Sequence, residues 1–272
     1  MPELPEVETV RRQLAPLLEG RRFAHVEITD ARLTRPLDPV EVGAELVGEQ
    51  VERLDRRGKY LIVRFESGRS LVVHLRMTGS FLQHAGRDEP HIRAVVGLDD
   101  GSDVAYRDIR RFGTWLLLEP DELDPYLDAR LGEEPFSRDF TPASLAARLK
   151  ERKAPVKAAL LDQRTVAGVG NIYADEALWR SQIHPLREAR TLRKRELEAL
   201  HAAVLAALEA GIERQGATLR DYRRPDGGEG SMQHEFNVYG RAGEPCPRCG
   251  TPIEKTRAGG RGTWYCPACQ RV

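Results

Sequence analysis

Four cysteines in two C-x2-C pairs, Cys246-Pro-Arg-Cys249 and Cys266-Pro-Ala-Cys269, carry the most specific chemical signal in this sequence. Sixteen residues separate the pairs, and all four thiols fall within the last 27 residues. Two such knuckles supply four thiolates to one tetrahedral zinc ion and leave no open position, so the ion is expected to be structural. The alternative is disulfides or free thiols, but a secreted disulfide protein spreads its cysteines through the fold. The hairpin between the pairs has too little core to stand alone, and zinc would fix it. From 241 to 271, Arg241, Arg248, Lys255, Arg257, Arg261 and Arg271 are balanced only by Glu244 and Glu254. Arg261 lies among glycines in Ala258-Gly-Gly-Arg-Gly-Thr263, where backbone and guanidinium can approach a phosphate closely.

The opposite end offers covalent chemistry. Removal of Met1 would expose the secondary amine of Pro2, whose pKa of about 8 leaves a useful neutral fraction near pH 7. A proline amine that attacks a sugar C1′ gives an iminium with no N–H to lose, and that cation persists as an electron sink. Glu3, next in the chain, can deliver or remove protons.

Several elements must position these groups. One helix comes first, with Pro5 in its first turn and Val7, Val10, Leu14 and Leu17 on one face. From about 20 to 118 the chain reads as short strands, among them Leu61–Phe65, Ser70–Leu75, Ala94–Leu98 and Thr114–Leu118, which suggests an antiparallel sandwich or barrel. Residues 119–139 hold eight acids against Arg130 and Arg138, punctuated by Pro120, Pro125 and Pro135, and read as a connector. Helical periodicity follows over Ala143–Arg152, Val156–Gln163, Ile172–Gln182 and Lys194–Glu213. The expected class is α+β: a β-sandwich with a flanking helix over 1–118, an acidic linker over 119–140, a helical domain over 141–225, a loop region over 226–240 and a zinc ribbon over 241–272.

Composition bounds the rest. Forty-two Lys and Arg balance 42 Asp and Glu, so the chain is neutral overall and a uniformly basic nucleic-acid binder is excluded. The charge is nonetheless local: from 148 to 164, six bases face Glu151 and Asp162. No run of about 18 apolar residues and no signal peptide is visible, so a membrane span is excluded, no membrane partner is expected and the cytoplasm is the expected compartment.

Pro2-Glu-Leu-Pro-Glu-Val-Glu-Thr9 resembles the N-terminal signature of the bacterial formamidopyrimidine-DNA glycosylases, which remove 8-oxoguanine and cleave abasic sites. Further resemblances run the length of the chain: Arg57-Gly-Lys-Tyr60, His74-Leu-Arg-Met-Thr-Gly79, Arg110-Arg-Phe-Gly113, Leu161-Asp-Gln163, Ala167-Gly-Val-Gly-Asn-Ile-Tyr-Ala174, Val238-Tyr-Gly-Arg241 and the four cysteines. The resemblance implies Pro2 as nucleophile, Glu3 as the acid that assists sugar opening, Glu6 as a second acid and Lys59 as an ammonium near the lesion. It implies that Met77, Arg110 and Phe112 fill the void left by an extruded nucleotide, as base flipping requires. It makes 141–225 a helix–two-turns–helix domain and 226–240 the lesion-recognition loop. Lys157, Asn171, Arg261 and His91 then contact DNA phosphates, Asn171 at a helix N-terminus suited to an anion.

Damaged duplex DNA bound by a monomer, associated with the nucleoid, is the implied partner, with one structural zinc and no redox or nucleotide cofactor. Ile109 stands where the family usually has proline, and Ser231-Met232-Gln233 where an aromatic pair before glutamine is common, so lesion choice is less constrained than lyase chemistry. An endonuclease VIII-like enzyme for oxidised pyrimidines is the nearest alternative reading. A catalytically silent zinc-ribbon DNA-binding protein is the alternative from another class.

Overall fold

Helix α1 (Leu4–Leu18) buries Val7, Val10, Leu14 and Leu18 against the core, and Leu17 only partly. The computed structural model describes residues 1–83 and 89–271 and divides into two units. Residues 1–129 and 214–231 form the first, and residues 130–213 and 232–271 lie in the second.

In the first unit two four-stranded antiparallel sheets share one core. One has the order β1 (Phe23–Ile28), β6 (Ile92–Leu98), β7 (Asp103–Asp108), β5 (Gly79–Gln83). The other runs β2 (Val51–Arg57), β3 (Tyr60–Phe65), β4 (Ser70–His74), β8 (Thr114–Leu118). Aromatic contacts cross between them: Phe23 meets Phe65 edge-on, and Phe81 and Tyr106 both pack on Trp115. A sandwich therefore forms, because Leu61, Val63 and Phe65 alternate inward on one sheet while Val96, Leu98 and Val104 do so on the other. Each such buried side chain contributes about 1.5–3 kcal/mol of transfer free energy. A short helix, α2 (Pro39–Leu46), packs on β1, with Asp38 capping its first turn through Val40 and Glu41 N–H.

Two boundaries differ from those suggested by the sequence. The acidic stretch is not a bare connector: α3 (Leu123–Asp128) forms in it, buries Leu123 and Leu127, and sets Tyr126 against Tyr60. Residues 214–231, on both sides of the expected boundary at 225, pack with the first unit. Ala217 N–H donates to Glu6 Oε1 at 2.8 Å, Tyr222 hydroxyl donates to Gln215 O at 3.2 Å, and Gln83 N–H donates to Pro225 O at 2.9 Å.

The second unit holds α4 (Pro142–Leu149), α5 (Val156–Leu161), α6 (Asn171–Arg180) and α7 (Lys194–Glu213), all at the expected places. Thr141 caps α4 by accepting from Ser144 N–H. Gly211 on α7 lets the Tyr173 ring of α6 come so close that a Cβ would sit 2.5 Å from it. Between α5 and α6 the Gln163 carboxamide ties the loop, donating to Leu161 O and Val169 O and accepting from Gly168 N–H. The zinc-ribbon hairpin is β9 (Glu254–Ala258) paired with β10 (Arg261–Tyr265). Among the described residues no helix is long and apolar enough to cross a membrane.

Candidate active site and nucleic-acid interface

Pro2 is buried and Met1 half-exposed, at the mouth of α1. Met1 lines a cavity of about 620 Å³ together with Arg32, Arg35, Arg76, Met77, Arg110, Arg111 and Phe112. Among the described residues five arginines and no acid line it, so the first unit presents an anion-attracting hollow beside Met1. Glu3 is 2% exposed and immediately precedes α1.

Glu6, the second acid that the resemblance implied, is held by main-chain donors. Its Oε2 accepts Glu3 N–H at 2.8 Å and its Oε1 accepts Ala217 N–H at 2.8 Å. With a main-chain donor on each oxygen, Glu6 tethers the N-terminal turn to the 215–217 segment.

Lys59 follows Gly58 in the two-residue turn between β2 and β3, where Gly58 takes a φ of 55° that suits a tight hairpin. The side chain is buried, and its charge acts on His74, three residues before Met77. Burial first, then Arg76 and Lys59, push the His74 imidazole down to about 3, so it is neutral near pH 7. Neutral His74 accepts Arg76 N–H on Nδ1 at 3.0 Å and so shapes the turn leading to Met77.

Phe112 is 50% exposed, and the Arg110 guanidinium lies over its ring at 4.8 Å, a cation–π contact. Met77, partly exposed, lines the same cavity. Arg111 has a φ of 59° and turns away to pair with buried Asp30 at 2.5 and 2.8 Å. That guanidinium brings the Asp30 carboxyl down to about 2. His91 is exposed, and its carbonyl accepts Asp108 N–H at 3.0 Å. Arg32, Arg35 and Arg76 were not singled out in the sequence. Arg32 and Arg35 lie in no motif, Arg76 lies within the His74–Gly79 motif but was not marked as a site residue, and only the fold brings the three to one hollow.

In the second unit Lys157 contradicts the expected phosphate contact. It is 0% exposed, and its ammonium lies 2.8 Å from Asp175 Oδ1, 2.8 Å from Gly262 O and 2.9 Å from Thr263 Oγ1. Burial pushes the Asp175 carboxyl up against the pull of Lys157. Asp175 also accepts Trp264 N–H at 3.1 Å, so the pair fastens the β9–β10 hairpin to α5 and α6. Next along α6, the Glu176 carboxylate gathers the N–H groups of Asn237, Val238 and Tyr239 at 3.0–3.1 Å. Asn171 is the first residue of α6, at the end rich in unpaired N–H groups, and Arg261 is exposed at the hairpin turn. Met232, in the segment that departs from the family's aromatic pair, is fully buried and opens a 3-10 turn, Met232–Glu235.

The four cysteine sulfurs lie within 4.8 Å of one another, with separations of 3.4, 3.5 and 4.0 Å among them. Zinc–sulfur bonds of about 2.3 Å put tetrahedral sulfurs about 3.8 Å apart, so this donor set fits zinc. Trp179 Nε1–H donates to Cys246 Sγ at 3.4 Å, and the Arg248 guanidinium stacks on the Trp179 ring.

Three family models match the chain in order. The formamidopyrimidine-DNA glycosylase N-terminal domain covers residues 1–115, its H2TH domain 131–223, and the zinc finger found in FPG and IleRS 243–272. The chain belongs to the formamidopyrimidine-DNA glycosylase family. The family consists of DNA glycosylases of base excision repair with AP lyase activity, and the four cysteines hold one structural zinc. A formamidopyrimidine-DNA glycosylase of Symbiobacterium thermophilum is 50% identical over 100% of this chain and 90% of its own length. The MutM (FPG) crystal structure from Thermus thermophilus superposes with a TM-score of 0.89 at 44% identity, covering 99% of this chain and 98% of that one. A Lactococcus lactis FPG mutant in complex with a Fapy-dG containing DNA gives a TM-score of 0.93 at 38% identity, with 100% of both chains covered.

Proposed function

We propose that this chain, after loss of Met1, excises oxidised purines such as 8-oxoguanine and formamidopyrimidines from duplex DNA in the cytoplasm and then cleaves the strand. The observation that supports the reading is that Met1, bonded to Pro2 and two residues before buried Glu3, lines a hollow together with five arginines, Met77 and Phe112. The Pro2 nitrogen attacks C1′, the C1′–N9 bond breaks, and the purine leaves with its electron pair and takes up a proton. Glu3 donates a proton to the ring oxygen as the deoxyribose opens to the iminium. Loss of a C2′ proton expels the 3′ phosphate, and a second elimination expels the 5′ phosphate, leaving a one-nucleotide gap. Met77, Arg110 and Phe112 occupy the vacated stack while Lys59 holds the lesion's phosphate. Asn171 and Arg261 bind backbone phosphates, and the enzyme acts as a monomer.

The test is borohydride trapping on duplexes that carry 8-oxoguanine opposite cytosine, or thymine glycol. A covalent adduct with 8-oxoguanine is expected. An adduct with thymine glycol alone would establish the endonuclease VIII-like activity instead, and DNA binding with no adduct on either would establish a silent DNA-binding protein.

A further inference from the structure

One buried carboxylate joins the two loops that carry Met77, Arg110 and Phe112. Asp108 ends β7 and is 1% exposed. Its Oδ1 accepts from the Thr78 hydroxyl at 2.5 Å, and its Oδ2 accepts from Gly113 N–H at 2.7 Å. The Thr78 oxygen in turn accepts Arg110 N–H at 2.9 Å. Thr78 directly follows Met77, and Gly113 directly follows Phe112. Three hydrogen bonds through two side chains therefore fix Met77 against Arg110 and Phe112, although more than thirty residues of chain separate the loops.

The surroundings leave these loops little slack. The Tyr106 hydroxyl is buried without a hydrogen-bond partner among the described residues and sits where a Cβ on either Gly79 or Gly113 would have to be. Both loops thus close on one rigid ring. Each loop also holds a non-glycine residue in the left-handed region, Arg76 at φ 53° and Arg111 at φ 59°. Such backbone persists only where its surroundings enforce it, here His74 for Arg76 and Asp30 for Arg111.

We propose that Asp108 and Thr78 are positioning residues that lock Met77, Arg110 and Phe112 into one unit, so that all three enter the base stack together. The inference rests on the void-filling role proposed above. Opening a stacked pair costs several kcal/mol, and a wedge on a yielding loop would deform before the stack did. The Thr78 hydroxyl suits the task because it donates to the carboxylate while accepting from Arg110, which a lone carboxylate could not do for both loops.

The test compares Thr78→Val, which keeps the shape and removes the hydroxyl, with Thr78→Ser, which keeps the hydroxyl, and with Asp108→Asn. Each is assayed under single-turnover conditions on a duplex with 8-oxoguanine opposite cytosine, and by borohydride trapping on a single-stranded abasic oligonucleotide, which has no stack to enter. Thr78→Val and Asp108→Asn are expected to slow duplex excision about tenfold to a hundredfold, the loss of one or two buried hydrogen bonds in the transition state. Both should trap the single strand within about twofold of wild type, and Thr78→Ser should restore duplex excision. Equal losses on both substrates would reduce the network to a folding device and overturn the proposal. So would unimpaired duplex excision by Thr78→Val in a protein whose wild type is active. A wild type inactive on both substrates would instead overturn the functional reading itself.

Discussion

Replacing Lys157 with methionine separates two roles for one buried cation. Its ammonium is 2.8 Å from Asp175 Oδ1 and also serves Gly262 O and Thr263 Oγ1, with both members of the pair fully buried. Methionine keeps the bulk of the stem and removes the charge, which leaves the Asp175 carboxylate in the interior without its cation. Breaking a buried pair from one side costs about 3–5 kcal/mol. At about 4 °C per kcal/mol for a unit of this size, the unfolding midpoint should fall by about 12–20 °C. Asp175→Asn should act in the same direction, because it strands the ammonium instead. Calorimetry measures the first effect, and DNA affinity against salt measures the second. A lysine that neutralised a phosphate would take about 0.9 from the slope of log affinity on log salt when removed, whereas this Lys157 should leave the slope unchanged. A reduced slope with an unchanged midpoint would refute the reasoning.

Arg261→Ala should give the opposite pattern, since Arg261 is exposed at the hairpin turn: a salt slope smaller by about 0.9 and an unchanged midpoint in the same assays. Acid should weaken the first unit in two stages. His74 has a folded pKa of about 3, below its unfolded value of about 6.5, so its contribution is complete above pH 6.5 and is lost toward pH 3, at up to about 1.4 kcal/mol per pH unit. Asp30, held at about 2 by Arg111, adds a second loss between about pH 4 and pH 2. Glu8 adds to that second stage: burial pushes it up, but Arg11 and Arg12 outweigh this and bring it to about 2. Urea titrations across pH should show the upper stage flattened in His74→Gln, and an unchanged upper stage would contradict the assignment. Gly113→Ala places a Cβ against the Tyr106 hydroxyl and should cost about 1–3 kcal/mol in the same titrations, with no loss expected if the loop can shift freely.

Much of the frame was legible because its signals are local. Strands β3, β4 and β8 are apolar runs, and α7 repeats leucine and alanine at helical spacing. Strand β2, Val-Glu-Arg-Leu-Asp-Arg-Arg, was not, because Arg53, Asp55 and Arg64 form ion pairs along its exposed face and mask its alternation. The cysteine cluster could be read from spacing alone, since four sulfurs at C-x2-C intervals leave few other arrangements.

Long-range contacts were the illegible part. Lys157 lies in a basic stretch and reads as a solvated cation, yet its partners are eighteen residues and more than a hundred residues away along the chain. Glu6 reads as an acid within a catalytic motif, yet a backbone N–H at Ala217 takes one of its oxygens. The network of Thr78, Asp108 and Gly113 is likewise invisible in sequence, because each residue belongs to a separate loop or strand end.

The central claim is that the Pro2 amine, freed of Met1, forms the covalent intermediate. Its most direct measurement is peptide mass mapping of the borohydride-trapped complex with 8-oxoguanine DNA. The expected result is a reduced sugar adduct on the terminal peptide beginning at Pro2, and none on protein that retains Met1. An adduct on Lys59 or any other lysine, or on chains that still carry Met1, would contradict it.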